Sequence, residues 1–197
     1  DWAQTRNNIA IASFTLFERN GDAAMLDQAE KSYRAALEVF TKVEHPVDWG
    51  VTQNNLGNTL NAIGLRRNDI AYHELAVAAF EEALDVRARE VWPIQWATTK
   101  LNLGNAHTHR ARHDLSTEAL QEARVAYEDA LGVFTRRQTP LSWASAQNNL
   151  GSALQTIGQR ERLRGVLAVG TSVPLDPAGN DLVASVIGIA SIAIEQG

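Results

Sequence analysis

The chain contains no cysteine, which excludes a disulfide framework, a thiolate zinc site and a cysteine nucleophile. It also has no surplus of positive charge. Lys and Arg number 18 against 23 Asp and Glu, for a formal net charge of −5. The two signs are mixed throughout, so there is no field to hold a polyanion, and nucleic acid is not an expected partner. The amino end is polar and amphipathic, with no basic stretch followed by an apolar run, so no signal peptide is read there and the cytoplasm is the default compartment. The apolar segment from about Leu182 to Ile194 offers about 13 residues where a membrane span needs about 20, so a membrane anchor is not expected. Asp1 lacks an initiator Met and opens in the middle of a recurring phrase, which reads as a piece of a longer protein.

What the chain does contain is an internal repeat. Trp2, Trp49, Trp96 and Trp143 follow one another at intervals of 47 residues, and a longer phrase recurs around them: WGVTQNNLGNTLNAIG, WATTKLNLGNAHTHRA and WASAQNNLGSALQTIG. Such self-similarity is the signature of a solenoid, whose units bury their apolar faces only against their neighbours. The expected units are 1–47, 48–94 and 95–141, with a half unit at 142–163 and an atypical apolar tail at 164–197.

Within residues 48–94, Trp49, Leu56, Leu60 and Ile63 share one face of a helix expected to end near Gly64 as a C′ glycine. Ala76, Phe80, Ala83 and Leu84 have the spacing of a second amphipathic helix. The same series returns as Ala29, Tyr33, Ala36 and Leu37, and as Ala123, Tyr127, Ala130 and Leu131. Alanine lets two helix axes approach and the aromatic fills the groove between units; Ala10, Gly57, Gly104 and Gly151 give the first helix its small position. Pro46, Pro93 and Pro140 also recur at 47. They are read as stopping the second helix, with Asp48, Gln95 or Ser142 capping the next first helix. The tryptophans, set at the start of each first helix, are read as packing over unit junctions.

Leu56-Gly57 with Ala76, Phe80 and Ala83, and their counterparts at ±47, resemble the tetratricopeptide repeat over residues 1 to about 163. The family's usual unit is about 34 residues. Here about seven residues are added between the helices and about six after the second, as in an extended 47-residue form, and the family's tryptophan is replaced by Gln53, Lys100 and Gln147. The resemblance implies an all-α fold, a right-handed superhelical solenoid of antiparallel helix pairs, in which the first helix of each pair, helix A, lines a concave face.

That face is rich in asparagine. Carried onto this chain, the stripe holds Asn54, Asn58 and Asn61, then Leu101, Asn105 and Thr108, then Asn148, Ser152 and Gln155, while Asn8, Asn55, Asn102 and Asn149 occupy one repeating position beside it. An amide side chain both donates and accepts, so spaced asparagines can pair with the main chain of an extended peptide whatever its sequence. Asn54, Asn58 and Asn105 are expected to face the groove. For the repeating position two roles stand open, peptide contact or bonding between helices. The stripe has no Lys or Arg, with Arg6 and Lys100 one position away, which argues against a clamp for a terminal carboxylate. Ile11 and Phe14 replace polar groups in the first unit and form an apolar end.

Catalytic signatures are weak. His73-Glu74 opens a zinc-protease pattern whose second histidine is Val77. His109 and His113, with His107 nearby, are read as solvated histidines near the end of a helix A rather than metal ligands. The segment from Gly165 to Ser172, GVLAVGTS, has the glycine spacing of a phosphate loop without its lysine. No catalytic residue, cofactor or metal is assigned. In the tail, Asn180 or Asp181 is read as capping an apolar helix from about Leu182 to Ile194. The expected function is a noncatalytic scaffold that binds a peptide or protein segment in the groove. The alternatives are self-association through repeat ends or the tail, and a recruiting arm of a larger enzyme or signalling protein.

Overall fold

The computed structural model describes residues 2–113 and 117–172, with side chains described through Val166. Over these residues the chain is all α: α1 (Trp2–Asn20), α2 (Ala23–Leu37), α3 (Pro46–Arg67), α4 (Ile70–Val86), α5 (Pro93–Arg110), α6 (Glu118–Leu131) and α7 (Pro140–Ser172). Helices α3, α5 and α7 begin on the three prolines, and so keep the 47-residue interval. The expected boundary is thereby moved. Each proline is the first residue of a helix A, because its missing N–H falls among the donors a helix start leaves unpaired. Asp48, Gln95 and Ser142 consequently lie inside the first turn, and His45 and Trp92 occupy the N-cap positions without a side-chain cap bond.

Gly64 does not end α3. The helix runs on to Arg67, and Asn68 closes it in the left-handed conformation at φ 51°, its N–H bonded to the Gly64 carbonyl. Asp69 then caps α4 by accepting from Ala71 N–H at 3.0 Å. The residues expected between the helices thus lengthen helix A. Gly64 instead makes room for a side chain of the second helix. A Cβ there would lie 2.8 Å from the His73 ring, which packs directly on its backbone.

The core is the alternation of small and large residues down the second helices. Ala29, Tyr33 and Ala36, then Ala76, Phe80 and Ala83, then Ala123, Tyr127 and Ala130 are all buried. Each aromatic seats on helix A. A Cβ on Gly57 would meet Phe80 at 2.6 Å, and one on Gly104 would meet Tyr127 at 2.5 Å. Phe40 and Phe134 lie just past the ends of α2 and α6; Phe40 packs with Ala3 and Ala36 of its own unit, and Phe134 also reaches Ala146 of the next helix A. Trp96 and Trp143 pack against the Phe134 cluster.

Consecutive helices pack throughout, and each helix A also touches the next: α1 with α3, α3 with α5, α5 with α7. Among the described residues the backbones of the second helices α2, α4 and α6 do not approach one another in this way. Helices A therefore form the inner layer and the second helices splay outward, which makes the helix A surface concave. Beyond Arg164, α7 continues as helix to Ser172, so the segment resembling a phosphate loop is helical. The apolar helix expected from Leu182 to Ile194 lies outside the described residues. No helix among those described is long and apolar enough to cross a membrane.

Candidate functional site

The helix A asparagines divide into three groups. One is buried in the seams between units. Asn54 is only 6% exposed; its Oδ1 accepts from Thr99 Oγ1 at 3.0 Å and from Asn102 Nδ2 at 3.4 Å, and its Nδ2 donates to Asn55 Oδ1 at 3.4 Å. The expectation that Asn54 faces the groove is thus overturned. The cause is packing: its side chain points at the next helix A, where the hydroxyl of Thr99 supplies a buried partner. Asn7 and Thr52 repeat that bond one unit earlier at 3.2 Å. At the third seam Leu101 and Ala146 stand in the same register and pack as apolar neighbours.

A second group joins helices while remaining half-exposed. Asn55 bonds to Tyr33, whose phenol is pushed up to about 12 by burial against that bond. Asn61 Oδ1 lies 2.8 Å from His73 Nδ1 and 3.0 Å from His109 Nδ1, and accepts from both when each ring carries its proton there. His109 is therefore not a solvated histidine. Burial lowers it to about 4, with Arg112 and His73 adding to the effect. His73 is buried and likewise lowered, by desolvation first and then by His113 and Arg112. His107 falls to about 4 through burial, against the opposing pull of Glu122. Among the described residues no cluster of three or more His, Asp or Glu is placed to hold a metal.

The third group is accessible. Asn8 and Asn148 are exposed and stand apart from the rest, and Asn58 is half-buried on α3. Asn105 and Asn149 come together: Asn149 Nδ2 donates to Asn105 Oδ1 at 2.8 Å, and Tyr127 Oη donates to the same oxygen at 2.9 Å. They open on a concavity of about 320 Å³ between α5 and α7, which Thr108, His109, Arg112, Tyr127 and Ser152 complete. Both lone-pair directions of Asn105 Oδ1 are thereby used, while its NH₂ makes no bond to another described residue and can donate to a guest carbonyl. Position 112 lies just past the helix A stripe, so the repeating positions alone do not reveal this guanidinium.

Five of the seven residues that line the pocket fall in a segment that matches a known family. Residues 96–137 match the family model described as Tetratricopeptide repeat, a segment that spans most of α5 and all of α6. Repeats of this family generally mediate protein–protein interaction and are typically noncatalytic. Comparison with curated proteins and with solved structures gives no match. Residues 96–137 are therefore similar to a tetratricopeptide repeat, and the helix pairs stacked on either side of them have the packing of a helical repeat.

Proposed function

We propose that the chain is a noncatalytic scaffold that holds an extended peptide segment on its helix A face, centred on the cleft between α5 and α7. The observation that carries this reading is the polar concavity whose lining includes Asn105, Ser152 and Arg112. Asn105 is fixed in orientation by Tyr127 and Asn149, so its free NH₂ is aimed before a peptide arrives, which reduces the ordering cost of binding. Asn58, one unit earlier in the same register, continues the row toward α3. A peptide along this row would bond through its main chain, and Arg112 would favour an acidic side chain at one position.

Asn105→Asp separates this role from a structural one. Aspartate keeps the oxygen that accepts from Tyr127 and Asn149, removes the NH₂ donor and adds a negative charge facing the guest. Peptides selected on the native chain from a displayed library should bind N105D at least about tenfold more weakly, the worth of one lost hydrogen bond to a buried acceptor, with unchanged helicity. Undiminished binding to N105D would remove the cleft from the interface.

Self-association through α7 is the second reading. Gly151 holds the register of Gly57 and Gly104, yet a Cβ there would meet no described atom within 4 Å, and Leu154 on the same helix is exposed. Light scattering on the native chain and on Leu154→Glu tests it: a dimer that the charge dissolves supports association through α7, and a monomer at all concentrations removes it.

A further inference from the structure

Three positions break the repeat, and the fold brings all three to one junction. Arg87 stands in the register of Phe40 and Phe134, both buried junction fillers. Trp92, the one tryptophan outside the 47-residue series, stands where the other units carry His45 and Thr139. Gly50 stands where they carry Ala3, Ala97 and Ala144. Between α3, the end of α4 and the start of α5 these substitutions leave a small apolar pocket of about 120 Å³, walled by Val47, Val51, Val86 and Trp92, with Arg87 on its lining. Gly50 is what allows the wall to close in, since a Cβ there would lie 2.6 Å from Val86 Cγ2 and 3.6 Å from Arg87 Cγ.

The guanidinium is held in place and left uncompensated. One of its nitrogens, Nη1, donates to Thr99 Oγ1 at 2.8 Å. No ion pair joins Arg87 to another described residue, whereas Lys42, Arg67, Lys100, Arg110 and Arg124 all have carboxylate partners. The carbonyl end of α4, which Arg87 itself caps, offers it partial negative charge. A core phenylalanine exchanged for a half-buried cation, with apolar walls kept around it, is costly unless an anion completes the site.

We infer that this junction is a binding site for a small carboxylate with an apolar body. The planar fork of arginine matches a carboxylate. The apolar walls favour a weakly hydrated body over a heavily hydrated anion such as phosphate, and a space of about 120 Å³ takes a small branched aliphatic group. The site is separate from the concave cleft, but the Thr99 hydroxyl that anchors Arg87 also bonds Asn54, so the two faces share one hydrogen-bonded seam.

Titration followed at the indole N–H of Trp92 by NMR tests the inference on the intact chain, with isovalerate against isovaleramide, and N-acetyl-leucine against N-acetyl-leucinamide. Each acid should bind about tenfold or more tightly than its amide, as expected for a charge-assisted pair. Arg87→Gln should abolish that preference while leaving the amides within about twofold. Tighter binding of isovalerate assigns the site to a free acid, and tighter binding of N-acetyl-leucine to a chain terminus. Val47→Trp, at an exposed position on the pocket wall, should block acid and amide alike and does not depend on R87Q folding. Equal affinity for acid and amide, or no movement of Trp92 with any of the four, would overturn the inference.

Discussion

At the scale of single residues, the glycines separate packing from propensity. Glycine inside a helix costs about 1 kcal/mol relative to alanine, so Gly→Ala should stabilise wherever a methyl fits. At Gly57 and Gly104 it does not fit, because the rings of Phe80 and Tyr127 occupy the space. We expect Gly57→Ala and Gly104→Ala to lose about 1–3 kcal/mol through overpacking, and Gly151→Ala to gain up to about 1 kcal/mol, read from urea unfolding midpoints at constant slope. The recurrence of a small residue after leucine made these contacts legible in the sequence. The role of Gly64 was not, since its partner His73 does not recur: the matching residues are Leu26 and Leu120.

The histidines belong to the same scale. His107 and His109 are held neutral at about 4, below their ordinary value near 6.5, by burial. Between those values the unfolded chain binds protons that the folded chain refuses. Their contribution to stability is therefore complete above about pH 6.5 and is lost progressively as the pH falls toward about 4. The unfolding midpoint should fall over that window, and His109→Gln should flatten the fall. A midpoint constant from pH 7 to 4.5 would contradict the burial assigned to these rings.

At the scale of elements, the seams between helices A carry a polar pair that can be exchanged for an apolar one. Asn7 with Thr52 and Asn54 with Thr99 are hydrogen-bonded, whereas Leu101 with Ala146 achieves the same junction by packing. Removing one partner strands a buried polar group, at about 1–3 kcal/mol, while removing both is close to neutral. Asn7→Leu and Thr52→Ala should each destabilise by that amount, and the double variant by less than either, a coupling that a double-mutant cycle measures directly. Additive losses would show that the bond carries nothing. The helix pairs themselves were legible because small and aromatic residues keep one register over three units. Their ends were not, because proline serves a helix start as well as a stop, and a left-handed Asn68 took the place assigned to Gly64.

At the scale of the whole molecule, curvature follows from the unequal approach of like helices, with neighbouring helices A close together and the backbones of the second helices apart. The sequence supplied the candidate row of asparagines but not their division of labour. Spacing alone could not tell Asn54, spent on Thr99 and Asn102, from Asn105, whose donor remains open. The register of Arg87 with Phe40 and Phe134 is present in the repeat as well, but a recurring pattern hides the position that departs from it.

We propose that the helix A face between α5 and α7 receives a peptide. The most direct test is backbone and side-chain amide NMR of the native chain titrated with a library-selected peptide. The claim predicts saturable shifts at the Asn105 and Asn149 side-chain amides, at Ser152 and at the Arg112 guanidinium, with the outer surfaces of α4 and α6 unmoved. Shifts confined to α4 and α6, or to the exposed ends of the array, would contradict it.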